Sequence, residues 1–162
     1  MSNQTITSSP AVWQVPSEND WLVVMGEFPG NSQAALFDYW TQPDLLRRWW
    51  PQEAEMDLRV DGAYHLAWPG MGWHLRGHYT AIERGKSLAF TWKWDSAPEL
   101  TPIRHVIVLF EKLAEGGTRL TITHGPYADT REDQEERAGH IEGWTHFLGK
   151  LHSLISGEHE DG

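Results

Sequence analysis

The chain of 162 residues is 40% hydrophobic and 22% charged, holds ten Trp and no Cys, and carries a formal net charge of −10. These values suit one globular domain with a real core, and the absence of Cys excludes disulfides, thiol catalysis and cysteine-ligated zinc. With no run of Lys or Arg, the acidic balance argues against nucleic acid and anionic membrane surfaces, both of which demand a cationic footprint.

Residues 1–19 are rich in Ser, Thr, Asn, Gln and Pro and are expected to form a loose arm. The segment lacks the apolar core of a secretory signal, and no apolar run in the chain reaches the roughly 20 residues of a membrane span. A cytoplasmic protein without membrane insertion is expected. Asp20 to Phe28 is a near-continuous apolar run with β-branched residues, consistent with a strand that Pro29-Gly30 ends. Asn31 or Ser32 can cap a short helix through Trp40, which Thr41-Gln42-Pro43 interrupts. Pro43 suits the first turn of a second helix, Asp44 to Trp50.

Beyond Pro51 the period becomes two. Tyr64, Leu66 and Trp68 share one face, and Trp73, Leu75, Gly77 and Tyr79 alternate with His74, Arg76 and His78. Leu88, Phe90, Trp92 and Trp94 alternate with Ala89, Thr91 and Lys93. Arg104 to Lys112 and Thr118 to His124 complete the set, the latter with Leu120, Ile122 and His124 on one face. Strands of this kind form an antiparallel sheet solvated on its outer side. Asp129 and Glu132 then resemble a capping box, and Ile141, Trp144, Leu148, Leu151 and Ile155 recur at steps of three and four. That spacing predicts an amphipathic helix of about 25 residues. Gly157 is its expected stop, with 157–162 as a tail. Residues 20–156 therefore read as one α+β domain, a curved antiparallel sheet of six to seven strands wrapped on a long C-terminal helix, with two short helices after strand one.

The runs LFDYWTQPDLLRRWWP, DLRVDGAYHL, RGHYTAIERGKSLAFTWKW, GTRLTITHGPY and GHIEGWTHFLGKL, in this order, resemble the SRPBCC superfamily of START and birch-pollen-allergen-like proteins. Within it the likeness is to the group related to the C-terminal domain of the heat-shock protein 90 ATPase activator. Trp40-Thr41, Pro43, Leu46 and Trp49 match that group's two-helix motif, Thr91-Trp92 its central strand, Thr123-His124 its last strand and Gly143-Trp144 its helix. The resemblance implies a helix-grip fold with a deep cavity between sheet and helix. It also implies a choice among carriers of apolar molecules, polyketide cyclases and cochaperones. The eukaryotic cochaperone carries an extra N-terminal domain for which this chain has no room, so chaperone binding is the third expectation.

The residues supply their own reading beside that resemblance. Aromatic side chains exceed what a small core packs at normal density, so part of the excess is expected to line a cavity. The candidate lining is Trp40, Trp49, Trp50, Tyr64, Leu66, Trp68, Leu75, Tyr79, Phe90, Trp92, Val106, Val108, His124, Trp144, Phe147 and Leu148. Trp40 and Trp49 are expected to turn inward and Trp50 to stand at the mouth. His124 shares the inner parity of Leu120 and Ile122, and His140 lies four residues before Trp144. Such a pair can orient a ligand or act as acid and base, the alternative for His124 being a buried imidazole satisfied by a backbone carbonyl. Glu27 follows the parity of Trp21, Val23 and Met25 and is a catalytic candidate only if that face is inward. His74 and His78 stand roughly 13 Å apart along their strand, too far for one metal, and with His65 they are expected on the exposed face. No metal and no cofactor are expected.

A binding or carrier domain for a small hydrophobic or aromatic molecule is thus the leading reading. A cyclase, dehydratase or hydrolase-like enzyme using the same cavity is the second. A homodimer is compatible with the exposed aromatics.

Overall fold

The computed structural model describes residues 11–161, with side chains described through Gly157. Eight strands are present among the described residues: β1 (Val12–Val15), β2 (Leu22–Phe28), β3 (Glu53–Met56), β4 (Ala63–Trp68), β5 (Trp73–Glu83), β6 (Ser87–Trp94), β7 (Arg104–Lys112) and β8 (Thr118–Gly125). They form one antiparallel sheet in the order β1-β2-β8-β7-β6-β5-β4-β3. Three helices accompany it, α1 (Gln33–Thr41), α2 (Pro43–Leu46) and α3 (Arg131–Asp161).

Two edge strands escape the sequence patterns. β1 corrects the expected loose arm over part of its length, because Val12 to Val15 pair with Val23 to Gly26 and bury Val12. The first ten residues of that arm lie outside the described residues. β3, the sequence EAEM, is four residues long and lacks β-branched side chains, so its alternation carries little strand signal.

The helices follow local chemistry closely. Ser32 Oγ accepts the Ala35 N–H at 3.1 Å, which caps α1, and Leu36, Phe37 and Trp40 form its buried stripe. Gln42 is extended (φ −104, ψ 122), and Pro43 takes the first position of α2. α2 ends at Leu46 rather than at Trp50, since the Arg48 and Trp49 N–H groups bond three residues back and tighten the chain into turns. α3 is capped by Thr130, not Asp129: the Asp133 N–H donates to Thr130 Oγ1 at 3.1 Å. Gly157 does not end α3, which continues to Asp161. An interior Gly costs only about 1 kcal/mol relative to Ala, and no Pro follows to enforce a stop.

The inner face of the sheet is apolar from β2 to β4, with Leu22, Val24, Val106, Val108, Leu120, Ile122, Leu88 and Leu75 all buried. α3 lays Trp144, Leu148, Leu151 and Ile155 onto that face. Its C-terminal half sits against the β2 side, where His152 meets Phe28 at 5.5 Å between ring centroids. Gly77 of β5 lets the sheet close around its own aromatics, since a Cβ there would stand 2.2 Å from the Thr91 carbonyl oxygen and 2.7 Å from the Tyr64 ring. Among the described residues no helix is long and apolar enough to cross a membrane.

Candidate functional site

The N-terminal half of α3 stands away from β4, β5 and β6, and a cavity of about 570 Å³ opens between them. Six of the ten Trp line it: Trp50, Trp68, Trp73, Trp92, Trp94 and Trp144. α3 supplies Gly139, His140, Glu142, Gly143, His146 and Phe147 on the opposite side. The sheet residues reach the cavity because Trp68, Trp92 and Trp94 all lie on inward positions near the ends of β4 and β6. Trp50 follows α2, and its ring meets those of Trp68, Trp92 and Trp144 at 6.0, 5.9 and 5.0 Å between centroids. Separations of this size, tilted or offset, are favourable for aromatic pairs.

A polar cluster stands behind one wall. The Trp94 Nε1–H donates to His140 Nε2 at 3.2 Å, and His140 Nδ1 lies 2.7 Å from the Tyr127 hydroxyl. An indole nitrogen can only donate, so His140 is a neutral ring protonated on Nδ1, which donates to Tyr127 Oη. The Trp144 Nε1–H likewise donates to His124 Nδ1 at 3.0 Å, which puts the His124 proton on Nε2. That atom is buried and has no hydrogen-bond partner among the described residues. The two imidazoles stack with centroids 4.8 Å apart and planes 14° from parallel. Burial, helped by the nearby Arg104 guanidinium, pushes the His140 pKa down to about 4. Burial, with His140 and Arg104 adding to it, holds His124 well below the usual imidazole range. Burial raises the Tyr127 hydroxyl.

Arg104 anchors this cluster from β7. Its Nε and Nη2 bond Glu136, its Nη1 donates to the Pro126 carbonyl at 2.5 Å, and its guanidinium carbon lies 4.3 Å from the Tyr127 ring centroid. Asp133 completes the pairing at 3.5 Å. The sequence offered no sign of the role of Arg104, since an Arg at the first position of an apolar strand reads as an exposed strand end.

The expected lining residues divide three ways. Trp50, Trp68, Trp92, Trp144 and Phe147 line the cavity, together with His140. Trp40, Tyr64, Leu66, Tyr79 and Phe90 surround only a void of about 20 Å³ deeper in the sheet. Trp49, Leu75, Val106, Val108, Leu148 and His124 are core residues that do not touch the cavity. Trp50 is not at the mouth: it is 7% exposed and forms an inner wall. Trp73, 47% exposed, stands at the rim instead.

Glu27 is corrected outright. Leu22, Val24, Gly26 and Phe28 face inward, so Glu27 lies on the outer face and pairs with Arg119 at 2.9 Å. His65 and His74 do lie on the outer face, yet both are half-buried and stacked, with Nε2 and Nδ1 2.9 Å apart. Among the described residues no three His, Asp or Glu side chains are grouped to hold a metal ion. The lining residues that pattern reading passed over are Trp73, Trp94, Ser96, Glu142, His146 and the glycines of α3. A signal was available, because Gly139 and Gly143 lie one turn apart beside Trp144, and glycines on an inward helix face leave space.

An antiparallel sheet wrapped on a C-terminal helix, with an aromatic cavity between them, defines a helix-grip domain of the SRPBCC superfamily. The match of residues 31–156 to the family model described as "Activator of Hsp90 ATPase homolog 1-like protein" is decisive, and the chain belongs to that family. Among curated proteins the comparison finds no match. Solved structures with the same fold include a protein from Mesorhizobium loti, with TM-score 0.73 at 21% identity over 84% of this chain and 96% of that one. A putative protein of the dynemicin biosynthetic locus has TM-score 0.73 at 20% identity over 85% of this chain, which spans 47% of that longer one. An HSP90 activator from Plasmodium falciparum has TM-score 0.68 at 24% identity over 84% of this chain and 96% of that one. Identities this low establish the shared fold alone.

Proposed function

We infer that this domain binds a small apolar or aromatic molecule in the cavity between α3 and β4–β6. The observation that carries the reading is the wall itself, six Trp and one Phe around about 570 Å³. That volume lies within the roughly 300–1,000 Å³ of small-molecule sites. Binding is favoured over turnover because His140, the buried imidazole on the inner wall, already has both ring nitrogens engaged by Trp94 and Tyr127, while the other lining imidazole, His146, is exposed at the rim. A general base needs a lone pair within reach of the proton it takes.

Titration with 1-aminoanthracene and other uncharged two- and three-ring aromatics is expected to quench and shift the Trp emission, since more than half of the indoles face the cavity. The expected response is saturable and of one-to-one stoichiometry. Absence of any saturable change across such a series would remove the reading.

A further inference from the structure

We propose that the natural occupant of the cavity carries a positively charged amine, quaternary or tertiary, on an apolar body. The proposal rests on the reading of the cavity as a ligand site and assigns the ligand's charge.

The first argument is where the indole donors point. The Trp68 N–H donates to the Trp50 carbonyl at 3.0 Å, the Trp94 N–H to His140 and the Trp144 N–H to His124. The Trp92 N–H is buried from solvent. Three of the six indoles therefore have their donors committed within the protein, and the Trp92 donor, though unpartnered among the described residues, is closed off from solvent. A carboxylate or phosphate entering such a site surrenders its hydration and gains no replacement hydrogen bond from these walls, a penalty of several kcal/mol.

The second argument is the charge that remains. No Lys or Arg lines the cavity, and the one formally charged lining side chain is the Glu142 carboxylate. Two cations stand near but outside the lining: Arg104, behind His140, is paired with Glu136 and Asp133, and Lys150 places its Nζ 5.7 Å from the Phe147 ring centroid. His140 is held neutral by burial and by the Trp94 donor, so it does not oppose a cation. Aromatic faces carry the negative lobe of the ring quadrupole, and a cation within about 6 Å of several such faces is attracted, most of all when desolvated. The chain's net charge of −10 draws cations toward it at long range. Ring faces, one carboxylate and no lining Lys or Arg are the electrostatics of an ammonium site.

The test compares three isosteric or near-isosteric probes by Trp fluorescence and calorimetry: phenyltrimethylammonium, uncharged tert-butylbenzene and benzenesulfonate. Phenyltrimethylammonium is expected to bind about tenfold more tightly than tert-butylbenzene, although the latter is the more hydrophobic, and benzenesulfonate to bind more weakly than either. Glu142→Gln is expected to reduce the ammonium-to-isostere ratio about threefold. Equal or tighter binding of tert-butylbenzene overturns the charge assignment and leaves the cavity reading standing. Silence from all three probes and from 1-aminoanthracene overturns both.

Discussion

Replacing Arg104 with methionine, with Glu136 and Asp133 left in place, is expected to destabilise the domain by about 3 kcal/mol, read as a shift in the urea midpoint. The side chain is 4% exposed and ties β7 to the 125–130 loop and the first turns of α3. Methionine keeps the apolar stem and removes every donor, so the loss measures the guanidinium. Breaking a buried ion pair by removing one partner typically costs about 3–5 kcal/mol, because the other charge stays desolvated. Here the carboxylate side chains are 32% and 25% exposed, so water reaches them and the lower end of that range applies. Arg104→Lys should recover less than half of the loss, since one ammonium cannot bond a carboxylate and a carbonyl in the fork geometry that Arg104 uses. Lysine restoring full stability would show that charge alone, and not the planar fork, holds the joint.

Stability is also expected to fall steeply as the pH drops below about 6.5. The sign follows from the two buried imidazoles. Their folded pKa values lie below the unfolded value of about 6.5, so between the two the unfolded chain binds protons that the folded chain refuses. Their contribution is complete above pH 6.5 and is lost as the pH falls. His140, with a folded pKa of about 4, accounts for about 3 kcal/mol across that window, and His124 acts in the same direction. The geometry gives the reason: protonating either ring sets a new N–H against the indole N–H that it now accepts. With both rings titrating only in the unfolded chain, urea unfolding free energies should drop by about 2.4 kcal/mol between pH 6 and pH 5. His140→Phe should halve that slope, whatever it does to stability at pH 7. A flat profile over this range would contradict the neutral, buried imidazole pair.

The layout of the fold was legible wherever burial imposes a period. Leu88, Phe90, Trp92 and Trp94 alternate because one face of β6 meets the core, and Trp144, Leu148, Leu151 and Ile155 recur because one stripe of α3 does. The edges were not legible, since β1 and β3 bury too few residues to leave a pattern. Glu27 shows the limit of parity: β2 is apolar on both sides, so sequence alone left its inward face open, and the Arg119 partner is 92 residues away. The site was partly legible. The parity of His124 and the helical step from His140 to Trp144 both point inward, but stacking between the two rings depends on how α3 crosses the sheet. The inward aromatics were recognisable as a set, whereas their division into packed core and open wall depends on the gap between α3 and β4–β6. That gap is a property of helix placement.

The central claim is that this gap is where a ligand sits, and Gly143 offers the most direct test. It lines the cavity, and a Cβ built there meets no heavy atom within 4 Å. Leucine at this position directs its side chain into the cavity from a Cβ that has room, and should improve the helix by about 0.5–1 kcal/mol over glycine. The measurement is the affinity of 1-aminoanthracene for Gly143→Leu beside that of the unaltered chain, with thermal unfolding recorded on both. Affinity at least about tenfold weaker, with an equal or higher melting temperature, is the result predicted for a ligand held between α3 and the Trp wall. Unchanged affinity in the folded variant would contradict it.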